Sequence, residues 1–382
     1  MTDLTVAQSS LSAAPSALPV PARDNVLDGL RGIAVALVVL YHLHEYVPQL
    51  WPGETAFGES GALGKLMGFF WIGVDLFYML SGYLIGSAVL KPSVWDPARF
   101  VKNRLTRIVP AYYVSMFLVL ILIEQHFLKS PQGWVHIGLH ALFLQGLQPW
   151  SMFSINGPYW TLSVEFGFYA VMLTLAPFLR TRWVWGLLLG MLAVGLLWRS
   201  SVWLQVEQAQ RYFWALQLPG AIDEFAAGLT LAALQHRHGW LARGHRGNAL
   251  TGAVLLLVGT VLVGACLNFF IRLSVDYWAH GSVVLISRLL LCTGFALWMT
   301  GFLLMKDQPW LNALVRYSGL GLLGRISFSV YLYHVPVILA MHRWADTLIQ
   351  PGWLWVTLTV GLILACAAAS FVLVERTFHP GL

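Results

Sequence analysis

The chain has 382 residues, 58% of them hydrophobic and 10% charged, with a mean hydropathy of +0.69 and a formal net charge of +6. Soluble domains carry roughly 25% charged residues, whereas several apolar runs here reach the ~20 residues that cross a bilayer as a helix. The composition excludes an ordinary soluble domain, and the continuous runs exclude an alternating outer-membrane barrel, which leaves an all-α polytopic transmembrane helical bundle.

Residues 1–25 are rich in Ala, Ser and Pro and have no basic segment ahead of an apolar stretch. They read as a disordered cytoplasmic tail, not a cleaved signal peptide. Ten spans follow, at 27–46, 64–89, 108–128, 158–178, 183–199, 213–235, 248–271, 281–305, 321–343 and 353–375. Together they predict one transmembrane domain over 26–376, with a short cytoplasmic tail at 377–382. The stretch 134–147, WVHIGLHALFLQGL, is too short for a comfortable span and reads as interfacial or re-entrant.

The basic residues test this count. With the N-terminus in the cytoplasm, one inside loop holds Lys91, Arg99, Lys102, Arg104 and Arg107. Later inside loops hold Arg180 with Arg182, then Arg237, Arg243 and Arg246, then Lys306 and Arg316. The outside connections carry fewer, namely Lys129, Arg199, Arg211, Arg272 and Arg343. This positive-inside bias places both termini in the cytoplasm. It also explains the basic balance through topology, so no nucleic-acid partner is expected. Trp95 to Pro110 reads as a surface helix leading into the third span, anchored by Trp95. Cys266, Cys292 and Cys366 fall in apolar runs and read as small packing residues. No metal-binding motif stands out, and no metal is expected. The sequence does not set an oligomeric state.

Ionisable groups inside spans are costly and mark function by default. Arg31 and His42 sit eleven residues apart in the first span. At 1.5 Å per residue they are roughly 16 Å apart along the axis, so they serve opposite ends of an elongated ligand rather than form a contact. Glu165 lies seven residues after Pro158, the start of the fourth span. Counted from that boundary, it shares the outer half of the membrane with His42, where a carboxylate can orient an imidazole base. Asp28 and Arg31 share a helix face and form either a local structural pair or part of a ligand site. Asp75, followed by Ser81, reads as support for a cavity. Gly73, Gly82 and Gly86 permit close helix packing.

Several of these segments carry a family likeness. LDGLRGIAVALVVLYH, with Arg31 and His42 near its ends, resembles the opening motif of the membrane acyltransferase-3 family. GVDLFYMLSGYLIG resembles its second-span signature, and RLTR its basic pair, Arg104 and Arg107. PYWTLSVEFGFY supplies the aromatic segment around Glu165, and GRISFSVYLYHVP is similar to a late-span motif with Tyr331 and His334.

The resemblance implies about ten transmembrane helices and transfer of an acyl group, most often acetyl, from cytoplasmic acyl-CoA to a carbohydrate hydroxyl. It implies membrane lipids, acyl-CoA and a carbohydrate or glycan-lipid acceptor as partners, in a bacterial inner membrane. Arg31, Arg104 and Arg107 would hold the CoA phosphates, His42 would act as base, and Glu165 would support it. Tyr159, Trp160 or Ser163 would line the acceptor side. Asp28, Asp75, Ser81, Tyr331 and His334 would be structural or would support the site. Direct transfer and transfer through an acylated residue both remain open. A transporter or flippase for an anionic glycan lipid is the rival reading, and its inverted repeats and broken paired helices are not evident.

Overall fold

The computed structural model describes residues 25–47, 62–91, 95–239, 245–273, 278–345, 349 and 352–379. The expected tail at 1–25 lies outside the described residues except for Asn25, as do 380–382 of the expected C-terminal tail. Among the described residues every regular element is helical. The main ones are α1 (Asn25–Tyr46), α2 (Gly73–Val89), α3 (Pro97–Leu122), α4 (Pro131–Ala141), α5 (Trp160–Leu179) and α6 (Val184–Gln205). They continue with α7 (Leu218–His238), α8 (His245–Leu273), α9 (Gly281–Leu304), α10 (Ser327–Ala345) and α11 (Trp353–Ser370).

Eight helices among the described residues are long and apolar enough to cross a bilayer. They are α1, α2 with the turns before it, α3, α5, α6, α8, α9, and α11 with its extension to Phe378. The chain is therefore a multi-pass membrane protein. The expected count was ten. The other two expected spans coincide with α7 and α10, 21 and 19 residues long. Neither is among the eight, because α7 carries Asp223, Glu224 and a basic end, and α10 carries His334, His342 and Arg343.

Local chemistry shifts several boundaries. The expected surface helix at 95–110 and the third span are one helix: the Asp96 carboxylate accepts from the Arg99 amide at 3.0 Å, Pro97 opens the first turn, and Pro110 is carried inside. The expected span 213–235 is instead two helices, Gln208–Ala215 and α7, because Pro219 opens the second. Ser130 caps α4 in the same way as Asp96 caps α3, at 3.0 Å to the Gly133 amide.

The centre of the bundle is α2, two thirds of whose apolar window is buried, whereas α11 buries 22% of its window. Packing of α2 against α7 is closest at Gly82 and Gly228, where a Cβ would overlap the carbonyl oxygens of Phe225 and Met79 respectively. A Cβ at Gly73 would likewise overlap the Ala34 carbonyl of α1. The three small-residue contacts let backbones meet where lipid offers no hydrophobic drive.

The stretch after α4 keeps exposed side chains such as Leu147 and Trp150 but is tied into the bundle. Ser163 donates to the Phe143 carbonyl at 2.7 Å, Gln145 to the Tyr159 carbonyl at 2.8 Å, and Asn156 to the Leu332 carbonyl of α10 at 3.1 Å. Gln145, Ser151 and Asn156 are buried. Two non-glycine residues frame this inward loop in the left-handed region, Phe143 at φ 57° and Ile155 at φ 62°. Such conformations cost about 1–3 kcal/mol each and cluster near functional sites.

Candidate active site

Two cavities lie end to end inside the bundle. Val74, Tyr78 and Tyr331 line both and form the wall between them. Tyr331 fixes that wall: its hydroxyl donates to the Pro158 carbonyl at 2.7 Å and lies 2.6 Å from the Thr161 hydroxyl.

The smaller cavity, about 110 Å³, is lined by Arg31, Arg104, Arg107, Ser81 and Glu165 together with apolar groups. It lies on the side of Arg31, near the start of α1. Arg31 donates to Asp28 at 3.3 Å, and Arg325 lies 3.7 Å from the other Asp28 oxygen. Asp28 is buried, so this pair orients Arg31. Arg104 stacks over Phe100 and Tyr169, 5.5 and 5.4 Å from the ring centroids. Among the described residues neither Arg104 nor Arg107 has a carboxylate within 4.0 Å. His379, beyond the last span, has its pKa lowered by burial and by the charges of Arg107 and Arg104. The cavity end is thus electropositive, with guanidinium forks left for an anionic ligand. Its volume is below the ~300–1,000 Å³ of an ordinary ligand pocket. It fits a slender chain, with any bulky phosphorylated head outside.

Glu165 belongs to this cavity. Its carboxylate accepts from Ser81 at 3.1 Å and from the Tyr169 hydroxyl. The expectation that it would meet His42 is corrected here: the two line different cavities, and no hydrogen bond joins them. Pro158 is buried and accepts from the Tyr331 hydroxyl, so the wall that contains Tyr331 lies between Glu165 and His42.

The larger cavity, about 770 Å³, holds His42 and many aromatic side chains. His42 Nδ1 lies 2.9 Å from the Val38 carbonyl and 3.2 Å from His334 Nε2. His334 Nδ1 lies 2.8 and 3.2 Å from the carbonyls of Tyr331 and Val330. Carbonyls only accept, so both Nδ1 atoms carry the hydrogen. His334 Nε2 is then an acceptor for His42 Nδ1–H. The remaining His42 nitrogen, Nε2, keeps its lone pair on a ring that faces the cavity. This fixes one tautomer and one basic atom.

Of the three residues expected on the acceptor side, Trp160 lines this cavity and the other two do not. Tyr159 is fully buried with its hydroxyl 2.7 Å from Ser115, and Ser163 anchors Phe143. At the cavity floor Asp75 bonds Arg288, which also bonds Glu224. Behind them Arg199 holds Asp223 in a two-pronged pair at 2.9 and 2.5 Å. All five side chains are at most 6% exposed. Sequence reasoning placed Arg199 in an outside loop and passed over Asp223, Glu224 and Arg288. Arg199 lies within α6, and the signal for the others was present: each is an ionisable group inside an apolar run. Among the described residues no group of three or more His, Cys, Asp or Glu is arranged to hold a metal.

Comparison with known proteins identifies the family. The acyltransferase-3 family model, described as an acyltransferase domain, matches residues 24–375. The chain is 29% identical over 378 residues to the putative membrane-bound transacylase BcsY of Komagataeibacter xylinus, covering 93% of this chain and 83% of that protein. It is 24% identical over 384 residues to the peptidoglycan O-acetyltransferase OatA of Listeria monocytogenes, covering 92% of this chain but only 54% of that relative. A shorter match, 27% over 175 residues, covers 41% of this chain and 25% of the O-acetyltransferase OatA of Staphylococcus aureus. No solved structure matches significantly. With the family model covering nearly its whole length, the chain belongs to the acyltransferase-3 family.

Proposed function

We propose that this protein transfers an acyl group, in the simplest case acetyl, from cytoplasmic acyl-CoA to a hydroxyl of an envelope or lipid-linked saccharide. The observation that carries this reading is the pair of abutting cavities, one with three arginines and one with an oriented imidazole, both reached by α1. The reading includes a bacterial inner-membrane location, ten spans with α7 and α10 among them, and both termini in the cytoplasm.

Arg31, Arg104 and Arg107 hold the phosphates of CoA, and the pantetheine arm occupies the narrow cavity. The thioester then reaches the wall of Val74, Tyr78 and Tyr331. His42 Nε2 removes the proton from the acceptor hydroxyl. The oxygen attacks the thioester carbonyl, the carbon–sulfur bond breaks, and the CoA thiolate takes the proton back from His42. Atoms balance as ester plus free thiol. Val38 and His334 stabilise the transient imidazolium through its Nδ1–H. Glu165 acts at the donor end, where it bonds Ser81 and fixes Tyr169, the ring over which Arg104 lies, rather than the imidazole.

The test is acceptor-dependent CoA release by the purified full-length protein in nanodiscs, with acetyl-CoA and a panel of free and lipid-linked glycans. His42→Ala, with folding verified, should lower turnover by roughly 10²–10⁴-fold while leaving acyl-CoA binding intact. Near-normal turnover in both His42→Ala and Glu165→Gln would sink the assignment. Labelled acyl-enzyme trapped without acceptor would move the route to a covalent intermediate. Substrate movement across the bilayer without release of CoA would favour the transporter.

A further inference from the structure

The geometry points to an outer cavity selective for a saccharide without anionic groups, whether neutral or amine-bearing. This rests on the acyl-transfer reading and adds which acceptors the site admits.

Three features of the lining carry it. The first is aromatic: Tyr46, Trp71, Trp160, Tyr212 and Trp278 face the cavity. A pyranose ring presents apolar C–H faces with slight positive charge, which match the negative faces of aromatic rings. The second is acidic. Glu45, Glu124 and Asp75 all line the cavity, with Glu45 near the end of α1 beside Tyr41 and Tyr46. Glu124 pairs with His126 at 3.2 Å, but His126 is 69% exposed, so water screens that contact.

The third feature is the state of the cations. Among the described residues, Arg288 is the arginine of this lining, and its guanidinium is engaged by Asp75 and Glu224. The pair behind it, Arg199 and Asp223, adds one charge of each sign. Three carboxyl groups therefore meet two guanidiniums in a buried cluster. With all three carboxyls ionised the cluster carries a net charge of −1, and with one protonated it is neutral. A membrane-embedded cavity with low-dielectric walls focuses such a field. An acceptor carrying carboxylate or phosphate would lose hydration and face carboxylates in return. A neutral ring loses little and stacks. The same field opposes outward movement of the phosphates held at the inner arginines.

The experiment uses three matched oligosaccharides: a neutral gluco-oligosaccharide, its C6-oxidised glucuronate form, and an amine-bearing glucosamine form. Binding is read by quenching of tryptophan fluorescence in the nanodisc-embedded full chain, and transfer by CoA release. The neutral and amine-bearing forms should bind about tenfold or more tighter than the glucuronate form. The double variant Glu45→Gln with Glu124→Gln should narrow that preference by about threefold, as should raising salt from about 50 to about 500 mM. Equal binding of glucuronate and neutral forms would overturn the inference, as would a preference that neither the variant nor salt reduces. Failure of all three to bind would remove the saccharide assignment. Equal CoA release with glucuronate would leave acyl transfer standing and the selectivity refuted. Selective binding without CoA release from any form would leave the selectivity standing and refute the transfer.

Discussion

The two cavities differ in size, charge and wall chemistry although they share Val74, Tyr78 and Tyr331. The inner one, about 110 Å³, has three guanidiniums against one carboxylate; the outer one, about 770 Å³, has acids, aromatic rings and an oriented imidazole. A single site with this mixture of charges would neutralise itself. Divided by a wall of three side chains, each half keeps its own field. On the proposed reading, the donor's phosphates and the acceptor's ring each meet a suited surface, and only their reacting atoms need to converge. The length of α1 joins the halves, with Arg31 at one and His42 at the other.

The harshest way to break this division is at the floor of the outer cavity. Arg288→Met removes the cation shared by Asp75 and Glu224 and leaves two buried carboxyls facing each other. Removing one partner of a buried ion pair costs about 3–5 kcal/mol. We expect a loss of that order, measured by denaturant or thermal unfolding in one detergent. The combination Arg288→Met, Asp75→Asn and Glu224→Gln should recover most of it, because no unpaired charge remains. If the triple variant is no more stable than the single, the loss arises from packing against Trp71, which the Arg288 guanidinium covers at 5.4 Å.

A milder change sharpens the inner half. Arg104→Ala or Arg107→Ala should each raise KM for acyl-CoA, since hydrogen bonds to charged groups contribute about 1.5–3 kcal/mol. That corresponds to roughly ten- to 150-fold, with kcat at saturation largely kept. Lysine at either position should restore only part of the affinity, because it lacks the planar fork. Steady-state kinetics with acyl-CoA varied at fixed acceptor separates the two parameters. A fall in kcat with unchanged KM would detach these arginines from donor binding.

Much of the inner half is legible in the sequence. Arg31, Arg104, Arg107 and Ser81 were named from spacing, charge and motif, and the cavity brings them together. Helical class and most span limits follow from apolar run length, which dominates folding in lipid. The outer half was less legible for two physical reasons. Depth along the chain places Glu165 and His42 at similar levels but does not show that the side chains of Val74, Tyr78 and Tyr331 stand between their two cavities. Charges were assigned to loops by proximity to a span end, which misplaced Arg199 inside α6 and hid its pairing with Asp223. Intramembrane charge pairs connect residues distant in sequence, such as Asp75 and Arg288, and no local pattern announces the partner.

The finest distinction concerns His334, which touches His42 but has no place of its own in the lining of either cavity. Its Nδ1–H is committed to the carbonyls of Tyr331 and Val330, so Nε2 is the acceptor that holds the His42 tautomer. His334→Ala should lower kcat about tenfold, less than the roughly 10²–10⁴-fold of losing the base itself, because the Val38 carbonyl still holds His42 Nδ1–H. KM for acyl-CoA should not change, since the arginines lie in the other cavity. His334→Gln, whose side-chain oxygen can accept where Nε2 did, should recover much of the loss. Nitrogen NMR of labelled histidine should report the protonated His42 Nδ1 in the parent and a tautomer mixture in the alanine variant. A kcat loss with the tautomer intact, or with no rescue by glutamine, would assign His334 to packing beneath the ring rather than to orienting the base.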